Sequence, residues 1–378
     1  MMIINATVLM EDGFHEGMCV RIENGQISAV SPQIPFGQGE PVTDLQGDYL
    51  LPGFVDVHVH AFRGRDTMNG ESAVRAMSRD MYREGVAAFL PTTMSAGMED
   101  TAAALRGVRA VMEMQEDVGA RVLGAHAEAP FLNPDRAGAQ LAECLRSPDW
   151  QTFLDMTDGQ TQVVRMITVA PELPGAEDFI RRAVQAGVTV SIGHTAATAE
   201  QTHLAADWGA THVTHTFNAQ TPLNHRSPGV PGAAMVDDRL YTEFIADGVH
   251  LHGDAVRLIV RCKGAARAVA ITDAMEAAGM PDGAYSLGGQ PVTVKDGQAR
   301  LRDGTLAGSV LTMRQALENL IHLFGISPED AVRMCTCTPA ESIGEKTAGR
   351  MIPGSPAPLT RWSKDWRFVQ IIDERMGG

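Results

Sequence analysis

Short apolar runs alternate with amphipathic stretches through the middle of the chain. Eight runs have the length and composition of buried strands: GFVDVHVH, VAAFLPTT, RVLGAHAE, VVRMITVAPE, VTVSIGH, THVTHTF, TEFIADG and AVAITDA. Stretches such as ESAVRAMSRDMYREG and GAEDFIRRAVQAG carry apolar residues at three- and four-residue spacing and end in glycine, as helices commonly do. Eight strands with helical crossovers predict an α/β fold, a (β/α)8 TIM-like barrel. The first strand is not followed by GxGxxG, the motif that would favour a dinucleotide-binding sheet.

The two ends of the chain have a different pattern. Near the N-terminus, INATVLM, MCVRIENG and QISAVS are broken by Asp-Gly and Asn-Gly pairs that favour tight hairpins, and RFVQII follows a Pro/Gly-rich stretch near the C-terminus. We predict a small β-sandwich domain built from residues 1–52 and 346–378 around a barrel of residues 53–345. MPDGAYSLGGQPVTVKDGQARL predicts a hairpin insertion after the eighth strand, and LTMRQALENLIHLFG the last barrel helix.

Composition limits the kinds of molecule that the protein is expected to bind. The formal charge of −15 and the pI near 5.2 argue against nucleic acid or an anionic membrane as the main partner. The five cysteines form no CxxC pair, which suits a reducing compartment, and MMIINATVLMEDG lacks the features of a signal peptide. We therefore expect a cytoplasmic protein that acts on a small molecule.

Six polar residues stand where predicted strands end. They are His58, His60, Glu128, His194, His215 and Asp273. The chemistry of barrel enzymes lies at the C-terminal ends of the strands, so the fold brings these residues to one rim. Imidazoles and carboxylates gathered there predict metal-assisted hydrolysis.

Strand parity tests this grouping. Alternate side chains of a strand share a face, so His58 and His60 point the same way, as do His126 and Glu128. His212 and His215 have opposite parity, and His215 stands at the strand end. We expect structural or surface roles for the histidines without a strand-end position, which are His15, His203, His212, His225, His252 and His322.

Glu128, His194 and His215 form a set of two histidines and a glutamate that leaves one coordination position for water, as in catalytic zinc sites. Fe²⁺, Mn²⁺ and Co²⁺ accept the same ligands. Asp273 has two possible roles: it moves a proton, or it caps a helix at TDAMEAAG. No lysine precedes Lys263, so either Glu128 bridges two ions or a single ion is bound at the Glu128 set.

Several segments carry a resemblance to a known family. PGFVDVHVH, AHAEAPFLNPDRAGA, GHTAAT, THTFNA, RSPGVPG, IADGVH, ITDA and LAGS occur in the order found in the N-acetylglucosamine-6-phosphate deacetylases of the amidohydrolase superfamily. The resemblance implies hydrolysis of the acetamide of N-acetyl-D-glucosamine 6-phosphate to D-glucosamine 6-phosphate and acetate, in amino-sugar metabolism.

The resemblance also implies roles for particular residues. Glu128, His194 and His215 match the main metal ligands, His58 and His60 a second metal site, and Asp273 the catalytic acid/base. Substrate contacts are implied for His250 at the acetamide, for Asn218 and Ala219 at the sugar phosphate, and for Leu306, Ala307 and Gly308 at the sugar. Arg226 matches an arginine that binds phosphate in the neighbouring subunit, which implies a homodimer. Ala139 and Gln140 stand where many members have a phosphate-binding histidine, and Gln140 carries no charge.

Two alternatives stay open. One is a deacetylase for a related substrate, either N-acetylgalactosamine 6-phosphate or another N-acyl compound, because no single residue identifies the sugar epimer. The other is a catalytically inactive barrel that only binds a sugar phosphate.

Overall fold

The computed structural model describes residues 1–35, 37 and 39–376, and eight parallel strands form its centre. In chain order these strands are Phe54–Val59, Val86–Thr93, Ala125–Ala127, Val164–Val169, Thr189–Ile192, His212–Val213, Tyr241–Ile245 and Ala268–Ile271. Each pairs with the next, and a short piece, Arg121–Val122, extends the third strand beside the second. The first and eighth strands meet where the N–H of Asp273 donates to the carbonyl of His58 at 2.8 Å. The predicted barrel is confirmed: seven of the predicted runs contain a whole strand, and TEFIADG covers all but the first residue of the seventh strand.

Helices cover the outside of the barrel. They are Glu71–Tyr82, Met98–Glu113, Trp150–Met156, Ala176–Gln185, Ala199–Trp208, Gly229–Val236, Gly253–Lys263, Met313–Glu318, Pro328–Cys335 and Cys337–Ser342. Local sequence sets their ends. Thr198 and Gln201 form a capping box at the start of Ala199–Trp208, and Gly209, with φ of 113°, ends that helix.

The predicted last barrel helix is present, and it changes form part-way along. Met313–Glu318 is α-helical, and Asn319–Leu323 continues it as a π-helix. The two helices that follow were not predicted, and they pack against the first and eighth barrel strands. The first of them nevertheless has a start signal in the sequence, because Ser327 caps its first turn just before Pro328.

Strands from both ends of the chain form one mixed sheet. Its strands are Met2–Met10, Gly13–Glu23, Gln26–Ser31, Val42–Asp44, Tyr49–Pro52, Leu359–Trp362 and Phe368–Ile372. Tyr49–Pro52 pairs with Met2–Met10 on one side and with Leu359–Trp362 on the other. A β domain built from both termini is thus confirmed, whereas the boundaries 1–52, 53–345 and 346–378 stay predictions.

The insertion after the eighth strand lies over the C-terminal rim. It is a three-stranded antiparallel sheet, Gly283–Leu287, Gln290–Lys295 and Gln298–Arg300, and so extends the predicted hairpin by one strand. The side-chain amide of Gln290 donates to the carbonyl of Ala139 at 2.6 Å and fixes the insertion to a rim loop. None of the helices in the described residues is long and apolar enough to cross a membrane.

Candidate metal centre and active site

Five barrel strands bring the six predicted side chains to one point on the rim. The fractional exposures of the residues are 0% for His58, 2% for His60, 2% for Glu128, 5% for His194, 4% for His215 and 8% for Asp273. Two groups of possible metal ligands result, and we name them the Glu128 cluster (Glu128, His194, His215) and the His58 cluster (His58, His60, Asp273).

The Glu128 cluster is the tighter of the two. Oε1 of Glu128 lies 3.1 Å from Nε2 of His194 and 3.0 Å from Nε2 of His215, and the two nitrogens are 3.1 Å apart. Atoms bound about 2.1 Å from one tetrahedral ion lie roughly 3.4 Å from each other. The three ligand atoms therefore have nearly the spacing that a single divalent ion requires.

The His58 cluster lies beside it and shares the same carboxylate. Nε2 of His60 is 3.2 Å from Oδ1 of Asp273 and 3.3 Å from Oε2 of Glu128. Nε2 of His58 is 3.5 Å from Asp273 Oδ1 and 3.4 Å from Oε1 of Glu128. Glu128 thus lies between the two clusters, as a bridging carboxylate would. The pair of clusters is consistent with a binuclear divalent-metal site.

Proton positions support a cation in this place. Nδ1 of His194 faces the carbonyl of Arg136 at 2.9 Å, and a carbonyl only accepts. Nδ1 of His58 likewise faces the carboxylate of Glu243 at 3.2 Å. Each ring therefore carries a proton on Nδ1, which leaves Nε2 free to present its lone pair to a cation at the shared centre. Lone pairs from several residues that converge on one point fit a metal ion.

The charges of the two clusters also favour a bound cation. Burial disfavours the cationic form of His58, but the carboxylates of Glu128 and Asp273 outweigh burial and raise its pKa to about 9. Burial also opposes ionisation of Asp273, yet the imidazoles of His58 and His60 hold its pKa at about 2. The pKa of Glu128 is likewise well below its ordinary value, since nearby imidazoles outweigh burial. The centre therefore attracts positive charge.

Local backbone geometry places these side chains. Gly193 precedes His194, and a Cβ there would lie 2.6 Å from Cβ of Thr214, so glycine lets the fifth and sixth strands approach at the rim. His194, His215 and Asp273 have φ of 46°, 28° and 49°, in the left-handed region that side chains with a Cβ disfavour. The chain turns sharply at each of these strand ends. The turn directs the side chain into the site.

A cavity of about 220 Å³ opens above the clusters. Its lining includes His60, Met94, Glu128, Gly138, Ala139, Gln140, His194, His215, Asn218, Ala219, His250, Asp273, Leu287, Thr305, Leu306 and Gly308. Predicted residues for both the metal and the substrate thus surround one space. Ala307, between Leu306 and Gly308 in the chain, is fully buried and does not belong to this lining. Arg226 is exposed on a loop and does not belong to this lining.

The structure decides two expectations for the strand ends and places one further histidine. The alternative role of Asp273 as a helix cap is wrong, because no helix follows it in residues 274–280 and its carboxylate contacts His60. His212 stacks on Tyr241 with ring centroids 5.1 Å apart, and only His215 joins the cluster, as parity predicted. His126 is buried and contacts Thr168 at 2.8 Å below the site.

The sequence interpretation missed several residues of the site. Glu243, fully buried on the seventh strand, contacts both His58 and the N–H of His215. Asp247 contacts Nδ1 of His250 at 2.7 Å, and this hydrogen bond lowers the pKa of Asp247 although burial opposes the shift. A carboxylate inside the apolar run TEFIADG was the available signal for Glu243. Met94, Leu287 and Thr305 carried no signal of their own.

A buried centre of histidines and carboxylates at the rim of a (β/α)8 barrel defines the class of metal-dependent hydrolases. The sequence model of the Amidohydrolase family matches residues 49–372. An N-acetylgalactosamine-6-phosphate deacetylase of Escherichia coli O157:H7 is 37% identical over 366 residues, which cover 96% of this chain and 95% of that protein. An N-acetylglucosamine-6-phosphate deacetylase of Lysinibacillus sphaericus is 36% identical over 358 residues, covering 94% and 92%.

Solved structures agree with the sequence comparison. A mutant N-acetyl-D-glucosamine-6-phosphate deacetylase of Mycobacterium smegmatis, in complex with N-acetyl-D-glucosamine-6-phosphate, matches with a TM-score of 0.90. It is 32% identical, and the match covers 98% of this chain and 97% of that one. The chain belongs to the amidohydrolase family and, within it, to the group of deacetylases that includes these N-acetylglucosamine-6-phosphate and N-acetylgalactosamine-6-phosphate enzymes.

Proposed function

We propose that this protein hydrolyses the acetamide of N-acetyl-D-glucosamine 6-phosphate and releases acetate and D-glucosamine 6-phosphate. The proposal rests on one observation. Glu128 belongs to one ligand cluster and contacts the histidines of the other, and it lines a cavity that Asp273 and His250 also line. Hydrolysis of an unactivated amide needs a polarised carbonyl, an activated water and a proton for the leaving amine, and this arrangement has a group for each.

Zn²⁺ is the ion we propose, held by Glu128, His194 and His215, with a second ion at His58 and His60. The resident ion supplies Lewis acidity and lowers the pKa of water. Fe²⁺, Mn²⁺ or Co²⁺ would meet the same donors. Metal analysis of protein purified without chelator identifies the ion and its number.

Asp273 is the group that moves the proton. Its carboxylate is ionised, since neighbouring imidazoles hold its pKa at about 2, and it borders the cavity directly. An ionised carboxylate accepts a proton from water and then transfers it to the nitrogen of the departing amine.

His250 is positioned to polarise the acetamide oxygen. Asp247 accepts a hydrogen bond from its Nδ1 at 2.7 Å and fixes the orientation of the ring. A proton on Nε2 would then face the oxygen on which negative charge develops.

The phosphate end lies at the opposite side of the cavity in this proposal. Asn218, Ala219 and the sugar-facing residues Leu306 and Gly308 line it. Arg226 of a second copy of the chain would reach in and bind the phosphate through its planar guanidinium. Its exposure and its place outside the lining of its own chain's cavity favour that assignment.

The N-acetylgalactosamine 6-phosphate deacetylase of Escherichia coli, similar over almost the full length, makes that epimer the second candidate substrate. Acetate release is to be measured with both phosphosugars and with plain N-acetylglucosamine. The proposal expects the highest kcat/KM for N-acetylglucosamine 6-phosphate. A preference for N-acetylgalactosamine 6-phosphate would make that epimer the substrate. Equal rates on plain N-acetylglucosamine would contradict the proposed phosphate site. If no sugar releases acetate, the proposed deacetylase activity is wrong.

Mixing two impaired variants at low substrate tests the shared site. Arg226→Ala lacks the phosphate contact and Asp273→Asn lacks the proton carrier, so each homodimer is impaired at low substrate. In a mixed dimer the Asp273→Asn copy donates Arg226 to the intact centre of the other, and a random mixture regains up to roughly a quarter of wild-type activity. Mixtures that regain nothing although subunits exchange exclude the shared site.

A further inference from the structure

Gln140 lies in the loop that follows the third barrel strand, and it is 6% exposed. It lines the cavity at the edge of the Glu128 cluster. The family resemblance implies a phosphate contact at this position, but the polar atoms of the side chain are engaged within the protein. Both of its polar atoms have partners within the protein, and one of these partners is Glu128.

The orientation of the side-chain amide follows from its partners. The backbone N–H of Ser95 can only donate, and it lies 2.7 Å from Oε1 of Gln140. The amide nitrogen must therefore point the other way, where it donates to Oε2 of Glu128 at 2.5 Å. A flipped amide would place two donors together at Ser95 and two acceptors together at Glu128.

This hydrogen bond fixes the rotation of the Glu128 carboxylate. With Oε2 held by Gln140, Oε1 is left facing Nε2 of His194 and of His215, at 3.1 and 3.0 Å. Ser95 also anchors the loop, because its hydroxyl accepts from the N–H of Leu141 at 2.5 Å. The end of the second strand thus orients a side chain at the end of the third.

We propose that Gln140 is a positioning residue of the metal centre, which orients Glu128 for the ion, and that it does not contact the phosphate. The proposal depends on metal binding by Glu128, as proposed above. Groups that orient a metal ligand typically change metal affinity or activity by about 10- to 100-fold when removed. A neutral amide provides this orientation without adding charge to the centre.

Gln140→Met is the test variant, because it keeps the length of the side chain and removes both hydrogen bonds. Gln140→Ala repeats the test if the methionine variant fails to fold, as judged by thermal melting of the metal-free protein. Gln290→Met is the matched control: Gln290 contacts the same loop through the carbonyl of Ala139 but does not touch Glu128. Zn²⁺ affinity is measured by competition with a chelator, and coordination geometry by the visible spectrum of the Co²⁺ form.

We expect Gln140→Met to weaken Zn²⁺ binding by roughly 10- to 100-fold and to change the Co²⁺ spectrum. Gln290→Met should stay within about twofold of wild type, as remote substitutions usually do. The ratio of kcat/KM for phosphorylated over plain N-acetylglucosamine should not change in either variant.

Three results would overturn the proposal: unchanged Zn²⁺ affinity and spectrum in Gln140→Met, an equal loss in Gln290→Met, or a fall in the phosphate preference alone. The metal measurements need no substrate. If wild-type protein releases no acetate from any sugar, the proposed reaction fails while the positioning role is still tested.

Discussion

The Glu128 cluster and the His58 cluster share one carboxylate but differ in their access to substrate. All three members of the Glu128 cluster line the cavity, and their ligand atoms are 3.0–3.1 Å apart. In the His58 cluster only His60 and Asp273 line it, whereas His58 is completely buried, and the spacings within the cluster run from 3.2 to 3.5 Å. We infer that an ion facing the substrate belongs to the Glu128 cluster. The His58 cluster acts from behind it.

The residues that hold the two clusters in place differ as well. Glu128 and His194 are held by rim loops, through Gln140 and the carbonyl of Arg136. His58 is held from inside the barrel by Glu243, which also accepts from the N–H of His215 at 3.4 Å. A carboxyl side chain from the barrel interior therefore contacts residues of both clusters. The substitutions below test this comparison.

Glu128→Gln should have the largest effect, since it removes the charge that both clusters share. We expect the ions to be lost and turnover to fall by roughly 10³-fold or more, because Lewis-acid stabilisation worth several kcal/mol disappears. Metal content and initial rates check this. Glu143→Gln makes the same change at an exposed position in the same loop and should be neutral. Full metal content in Glu128→Gln would contradict the shared-ligand geometry.

Asp273→Asn should come next and should separate metal binding from proton transfer. The amide keeps the shape of the side chain but cannot accept the proton, so kcat should fall by roughly 10²- to 10⁴-fold. The ion at the Glu128 cluster should be retained. Asp117→Asn, at an exposed site, is the matched control. A near-normal kcat would remove Asp273 from the reaction.

His60→Asn tests the His58 cluster alone. We expect the second equivalent of metal to be lost, the first to be retained, and turnover to fall by roughly 10- to 100-fold. The exposed His225 offers the control substitution His225→Asn. Should turnover fall as far as in Glu128→Gln, the two clusters would be equally necessary and the proposed division between them would be wrong.

Glu243→Gln should have the smallest effect. The substitution keeps the length of the side chain but weakens its hydrogen bond to Nδ1 of His58. The second ion should therefore bind about tenfold more weakly, and turnover should change by only a few-fold. Metal titration of the variant measures both sites. Loss of the first ion before the second would show that the contact with the His215 N–H dominates instead.

Much of this geometry can be predicted from the sequence because barrel strands are buried on both faces. Such strands appear as continuous apolar runs, and the residues that end them must reach the rim. Parity then separated His215 from His212, which the structure places beside Tyr241 and outside the cluster.

The supporting contacts could not be predicted. Gln140 and Glu128 are joined through an irregular loop whose path depends on tertiary packing, with Ser95 as its anchor. Glu243 and His58 are 185 residues apart and meet only because the barrel closes. Periodicity reports which face a side chain occupies, and it carries no information on the particular partner across the barrel.

The left-handed backbone at His194, His215 and Asp273 has a consequence for how this protein can evolve. Each such residue costs on the order of 1 kcal/mol that glycine would not. A barrel released from selection for catalysis would gain stability by replacing these residues with glycine, and would lose its ligands in the same step. Selection for thermostability alone therefore opposes selection for activity at the strand ends. We expect stabilised variants of this chain that keep their activity to retain these three residues.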